Sequence, residues 1–311
     1  MLGCKLNRKT VQTLITNGTS TDISLLFHVS RLANDNGYVE NLNYKEISSA
    51  VNCSVQSYYN SLKRLERTKL ISLNKSLTET NCIIRNNKFL QKNYKDGYVN
   101  TNLDFLYSEE FKEIKLNAKK IALLYFLGKN KNGVYEVSRA KLIQHLGGLE
   151  RRSLIWEYID QLKKWFNIHE EKTKDGKDIK FYISLKDTTS TKLTKDLYWE
   201  HQLSSLRRRH KAKMDSKNIN EVITLIKIYG YKDYFKKQFR YLLKTITDTI
   251  KELKELRADV INKRIREHFE AVNLPIPKKK TSTKATSVED DLQNYLESTG
   301  RSYDFQGMIL E

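Results

Sequence analysis

Seven polar side chains between positions 54 and 67 have the types and spacing to read a nucleic acid. Ser54, Gln56, Ser57, Asn60, Lys63, Arg64 and Arg67 fall opposite Val55, Tyr58, Leu62 and Leu65, which step as a helix steps and are expected in a core. Hydroxyls and amides fill the first half of the run and cations the second. Amides and hydroxyls suit the donor and acceptor edges of bases, and cations suit flanking phosphates. A solvated helix face also carries Lys and Arg, so the run by itself leaves both uses open. Tyr59 stands at the boundary, able to stack or to pack. A second basic set, Arg207, Arg208, Arg209, His210 and Lys211, is the densest in the chain. It suits phosphate contact or the C-terminal end of its own helix dipole. A third set comprises Arg151 and Arg152 with Lys172, Lys174, Lys177 and Lys180.

Residues that would carry catalysis are scattered. The sequence has no Gly-x-x-x-x-Gly-Lys-[Ser/Thr] loop, no Gly-x-Gly-x-x-Gly and no His-x-His. The histidines, His28, His145, His169, His201, His210 and His268, lie far apart. Cys4, Cys53 and Cys82 show no paired spacing, which fits a reducing cytoplasm and offers no zinc pattern. The expectation is a binding protein without cofactor or metal. A nucleophilic tyrosine remains an open alternative among 18 tyrosines.

The elements that would position the basic sets repeat. Residues 117–185 read as a helix (Ile121, Leu124, Tyr125, Leu127), a short strand (134–137) and a helix capped by Ser138 and stopped by Gly147-Gly148. A longer helix follows, carrying Leu154 to Trp165 and Phe166. Two strand-like runs, 168–172 and 179–185, then flank Asp175-Gly176, a hairpin signal. Residues 21–90 follow the same order. A first helix is capped at Ser20, Thr21 or Asp22, Asn36-Gly37 turns the chain, and Asn43 caps a second helix. Ser54 caps the third, and extended runs follow at 70–73 and 83–90. Helix, strand, helix, helix, hairpin is the order of a winged helix-turn-helix, whose third helix enters the major groove. The rival use of such a module is packing or dimerisation.

Net charge is +19, and it is uneven. Residues 288–311 carry six acids against Arg301, so the preceding 287 residues hold +24. Such a body attracts polyanions before any specific contact forms. Two prolines in the whole chain favour a mostly helical protein, and no run is long enough to span a membrane.

The expected fold is mainly α with small β-hairpins: two tandem winged helix-turn-helix domains, then a helical C-terminal domain and a flexible acidic tail. The expected segments are a basic N-terminal arm (1–20), a first winged helix (21–97), and a connector with the second (98–187). A helical domain (195–274), a flexible basic linker (275–287) and the acidic tail (288–311) complete the chain. The stripe Phe239, Leu242, Ile246, Leu253, Leu256 and Val260 suits either a coiled-coil seam for a homodimer or a small bundle. The tail, with Leu292, Tyr295, Leu296, Phe305, Ile309 and Leu310, suits docking to a partner or back on the body.

Tandem winged helices on a basic body resemble plasmid replication initiators of low-GC Gram-positive bacteria. The resemblance covers about 21–185 and includes Ser108-Glu109-Glu110-Phe111-Lys112 followed by Leu116-Asn117-Ala118-Lys119-Lys120. It implies sequence-specific binding of repeated double-stranded origin DNA in the cytoplasm and recruitment of host replication proteins. Gln56, Asn60, Lys63 and Arg64 would read one half of each repeat, and Arg151 and Arg152 the other. The hairpin lysines Lys174 and Lys177 would touch the backbone, and phosphate contact from Arg207, Arg208, Arg209 and Lys211, read from their charge, is extra to the usual pattern of such initiators. The alternatives are a transcriptional repressor or partition adaptor, and a primosome-type helicase loader.

Overall fold

The structure is a computed structural model. It describes residues 5–34, 36–76, 79–85, 97–148, 151–173, 176–187, 197–230 and 236–271. These residues are mostly helical with small antiparallel sheets. The linker and the acidic tail, 275–311, lie outside them, as does Lys174.

The expected loose N-terminal arm is instead ordered structure. Strand β1 (Lys5–Asn7) pairs antiparallel with β5 (Tyr98–Asn100), Leu6 opposite Val99. Asn7 caps α1 (Arg8–Asn17) by accepting the Lys9 amide at 2.8 Å. Val11, Leu14 and Ile15 are buried, a three-and-four stripe set among polar neighbours in the sequence.

The first repeat runs α2 (Ser20–Leu32), β2 (Tyr38–Val39), α3 (Tyr44–Val51), α4 (Val55–Arg67), β3 (Ile71–Lys75) and β4 (Thr80–Ile84). Its sheet has the order β2-β4-β3, so the short strand after the first helix joins the hairpin. The cap of α2 lies one residue before the expected positions. Thr19 Oγ1 accepts the Asp22 amide at 3.3 Å, and Asp22 Oδ2 accepts the Thr19 amide at 2.9 Å, a reciprocal capping box. Asn43 and Ser54 cap α3 and α4 as expected. Ile23, Leu26 and Phe27 of α2 meet Ile47 and Val51 of α3 and Tyr58, Leu62 and Leu65 of α4 in one core. Val55 is exposed, contrary to the expected core stripe. As the first residue of α4, it projects past the edge of that core.

The second repeat runs α6 (Leu116–Gly128), β6 (Val134–Ser138), α7 (Arg139–His145), α8 (Arg152–Leu162), β7 (Phe166–Lys172) and β8 (Ile179–Leu185), with sheet order β6-β8-β7. Ser138 caps α7, and Gly147 and Gly148 follow it with positive φ. Two expectations need correction. Helix α8 stops at Leu162, so Trp165 and Phe166 leave the helix and Phe166 opens β7. Helix α6 has no single stripe, because Ala118 to Phe126 are buried all round, with α1, α2 and α8 packed on it.

Between the repeats, a 3₁₀ turn (Asp104–Tyr107) leads into α5 (Glu109–Glu113), capped by Ser108. Phe105 stacks on Trp165 at 5.7 Å and meets Phe111 edge-on at 5.5 Å. Lys119 of α6 donates to Ser20 Oγ at 2.7 Å and Ser24 Oγ at 3.2 Å on α2. A single buried cluster therefore runs through both repeats.

Helices α9 (Leu197–His210), α10 (Ser216–Gly230), α11 (Lys236–Leu253) and α12 (Ala258–Ala271) follow. The described residues fall into two compact units: 5–224 with Ile246–Ala258, and Leu225–Thr245 with 259–271. Helix α9 thus belongs with the two repeats. In the first unit Lys213 bridges to the chain around Glu255, its amide donating to Lys254 O at 2.8 Å and its carbonyl accepting the Leu256 amide at 2.9 Å, and Asn218 Oδ1 accepts the Ala258 amide at 3.1 Å. In the second, Tyr229 packs on Phe269 with ring centres 5.3 Å apart. The stripe read from 239 to 260 is divided between two helices. Lys254 takes a left-handed φ of 52°, which ends α11, and Val260 lies on α12.

Candidate nucleic-acid interface

Helix α4 stands out of the first repeat because α2 holds it from behind. Asp22, 2% exposed, accepts from Arg64 Nε at 3.0 Å and Nη2 at 2.9 Å, and also from the Ser61 hydroxyl. Arg64 Nη2 reaches Thr19 Oγ1 at 3.1 Å as well. Burial pushes the Asp22 carboxyl up, but the bonds from Arg64, Ser61 and Thr19 outweigh it and leave the group below its ordinary value. Arg64 was expected to read a base. Its guanidinium instead anchors α4 to the N-terminus of α2, with the side chain 33% exposed.

The outer stripe is what this anchor presents. Gln56, Tyr59, Asn60, Lys63 and Arg67 are exposed at helical spacing. Gln56 Nε2 donates to Asn60 Oδ1 at 3.1 Å, which leaves one amide oxygen and the other amine facing out. Ser54 and Ser57 hydroxyls bond each other at 3.0 Å, and Ser54 Oγ accepts the Ser57 amide. Glu66, the acid of this helix, is turned aside to accept the Leu73 amide at 3.2 Å. Tyr44, the first residue of α3, brings its ring within 6.1 Å of Tyr59, and Lys45 Nζ lies 6.0 Å from the Tyr44 ring. Tyr44 and Lys45 were not singled out from the sequence. Their signal was their place in the first turn of the helix before α4.

The other proposed cations fall in different settings. Helix α9 lies against α2 and is fastened to the first repeat. His201 Nε2 bonds Glu40 O at 2.7 Å, Arg208 Nη1 pairs with Glu46 at 2.7 Å, and Arg209 Nε pairs with Glu79 at 3.2 Å. Arg208 and Arg209 are therefore engaged in holding α9 in place. Glu79 precedes β4 at the tip of the first hairpin, so the basic end of α9, with exposed Arg207 and Lys211, stands beside that tip. The sequence separates these residues by more than a hundred positions and gives no sign of the meeting.

Helix α8 differs from α4. Arg151 is its exposed N-cap, while the Arg152 side chain is outside the described set. Behind that end the helix carries Glu157 and Asp160, which pair with Lys115 and, at 2.7 Å, with Lys163. Gln161 Oε1 accepts the Lys115 amide at 2.8 Å. Carboxylates on this face repel phosphates, so α8 lacks the electrostatics of α4. Lys172 and Lys177 are exposed on the second hairpin.

Among the described residues no group of three or more His, Cys, Asp or Glu could hold a metal ion, and no helix is long and apolar enough to cross a membrane. His28, lining a cavity of about 490 Å³ with Arg31 and Lys112, is pushed down to about 3, by burial first and then by those cations. No protein-family model matches the chain, and no characterised protein matches it.

Proposed function

We propose that the chain binds double-stranded DNA and that its first repeat is a winged helix with α4 as the recognition helix. The observation that carries this reading is the outer stripe of α4. Paired amides at Gln56 and Asn60 adjoin Lys63 and Arg67, and the exposed carboxylate of this helix, Glu66, is engaged by the Leu73 amide. Amides suit base edges, and the two cations suit the phosphates beside them. Exposed Arg207 and Lys211 by the first hairpin tip add further cations to the first repeat. The +24 of the first 287 residues supplies long-range attraction.

The second repeat has the same strand order, and we read it as a second winged helix. Its acidic α8 assigns it backbone contact through Arg151 and the hairpin lysines, rather than a second reading helix. On this reading the protein is a plasmid replication initiator that recognises repeated origin sequences and recruits host replication proteins, acting by binding without catalysis.

The test is a salt series of binding to the DNA flanking its own gene against a scrambled duplex of equal length. A preference for a repeated sequence is the expected result. Lys63→Ala and Arg67→Ala should each weaken both duplexes and flatten the slope of log affinity on log salt by about one. Equal binding to both duplexes, with slopes unchanged in these variants, sinks the proposal. A plasmid maintenance assay then separates an initiator from a repressor.

A further inference from the structure

Six large apolar side chains are exposed among the described residues: Tyr44, Val55, Tyr59, Ile83, Tyr98 and Leu253. Three of them meet at one place. Val55 and Tyr59 are one turn apart on α4, and Tyr44 lies with its ring 6.1 Å from that of Tyr59. Apolar groups gathered at one exposed place usually mark a contact. The surroundings say what kind. Lys45, Lys63 and Arg67, all exposed, lie around the patch, while the nearby carboxylates Glu46 and Glu66 are engaged by Arg208 and the Leu73 amide, so its occupant is a polyanion that also offers an apolar surface. The outward amides of Gln56 and Asn60 lie one residue along from Val55 and Tyr59.

In the major groove one base carries an apolar group, the 5-methyl of thymine, while adenine offers N6 and N7 to an amide. An apolar patch beside paired amides is the chemistry of A·T pairs. We propose that Val55 and Tyr59, backed by Tyr44, are specificity-determining residues that seat thymine methyl groups in duplex DNA, and that the recognised sequence is A·T-rich at the positions under the first two turns of α4. This inference rests on the DNA-binding reading above.

A methyl group buried in such a contact contributes about fourfold in affinity. The experiment first selects the preferred site from a random duplex library with the full-length chain. Thymine is then replaced by uracil at one position at a time, which deletes the methyl and leaves base pairing and the stacking face intact. Uracil at one or two neighbouring positions should weaken binding about fourfold, and the Val55→Ala, Tyr59→Ala double variant should bind thymine and uracil forms alike. Both side chains are exposed, so the variant keeps the core. Equal affinity for thymine and uracil at every position of a selected site overturns the methyl contact and leaves the DNA-binding reading standing. That outcome would assign the patch to stacking on unpaired bases or to a protein partner. A selection that enriches no duplex at all overturns both.

Discussion

Arg64→Ala should destabilise the protein far more than its exposed neighbour Lys63→Ala, although both are cations on the same helix. The difference comes from Asp22. Its carboxylate is 2% exposed and draws two guanidinium bonds, at 2.9 and 3.0 Å, from Arg64. Removing one partner of a buried ion pair costs about 3–5 kcal/mol because the other charge is stranded. Arg64 is one-third exposed, so water can reach the vacated space, and the Ser61 and Thr19 bonds remain. The expected loss is therefore about 2–3 kcal/mol, below the usual range. Asp22→Asn keeps an amide oxygen for the Thr19 cap and frees Arg64 to turn to solvent, so it should cost less, about 1–2 kcal/mol. Lys63→Ala should fall within about 0.5 kcal/mol of the parent. The sign with pH follows from the lowered Asp22 pKa. In the parent, the stabilisation is present above the unfolded value and is lost as pH falls through the folded one. In Arg64→Ala the stranded carboxyl takes up a proton more readily, so the gap to the parent should narrow on acidification. Urea unfolding of the three variants at pH 7 and pH 4, followed by far-ultraviolet circular dichroism, reads all of this. If Arg64→Ala unfolds together with Lys63→Ala at pH 7, the guanidinium is an ordinary surface group and the anchoring of α4 to α2 is wrong.

Burial, then the nearby Lys112 charge, pushes Lys119 down to about 8. Between that value and its ordinary 10.5 the unfolded chain holds more protons than the folded one, so stability rises with pH across the window. Lys119→Met should flatten that rise in thermal melts at pH 7.5, 9 and 10; an unchanged rise means that Lys119 is not its source. A Cβ on Gly128 would collide with the ring of Tyr135, so Gly128→Ala should cost about 1–3 kcal/mol, seen as a lower melting temperature. On α9, the Arg207→Ala, Lys211→Ala pair should reduce the salt slope of DNA binding. Arg208→Ala, whose guanidinium already serves Glu46, should change it little. A larger effect from Arg208→Ala would mean that its ion pair opens on DNA.

Local signals in the sequence determined most of the elements and their order. Ser54, Asn43, Ser108 and Ser138 announce helices because a short hydroxyl or amide is what an open first turn needs, and each caps the helix expected of it. Two strand-like runs about an Asp-Gly pair announce the second hairpin for a similar reason. The apolar period of α4 separated most of its inner face from its outer face, because burial follows helical spacing. Tertiary structure decided what depends on partners distant in the chain. Leu6, Val11, Leu14 and Ile15 fold the expected arm because strand β5 and helix α6, some ninety or more residues later, supply the surface that buries them. Val55 is exposed because the core ends short of it, which no period reveals. Arg64 and Arg208 look like surface cations until Asp22 and Glu46 are brought beside them. Charge in a sequence is a sum over residue types, whereas the charge offered to a ligand is what remains after the fold has paired some residues and left Lys63 and Arg67 facing water.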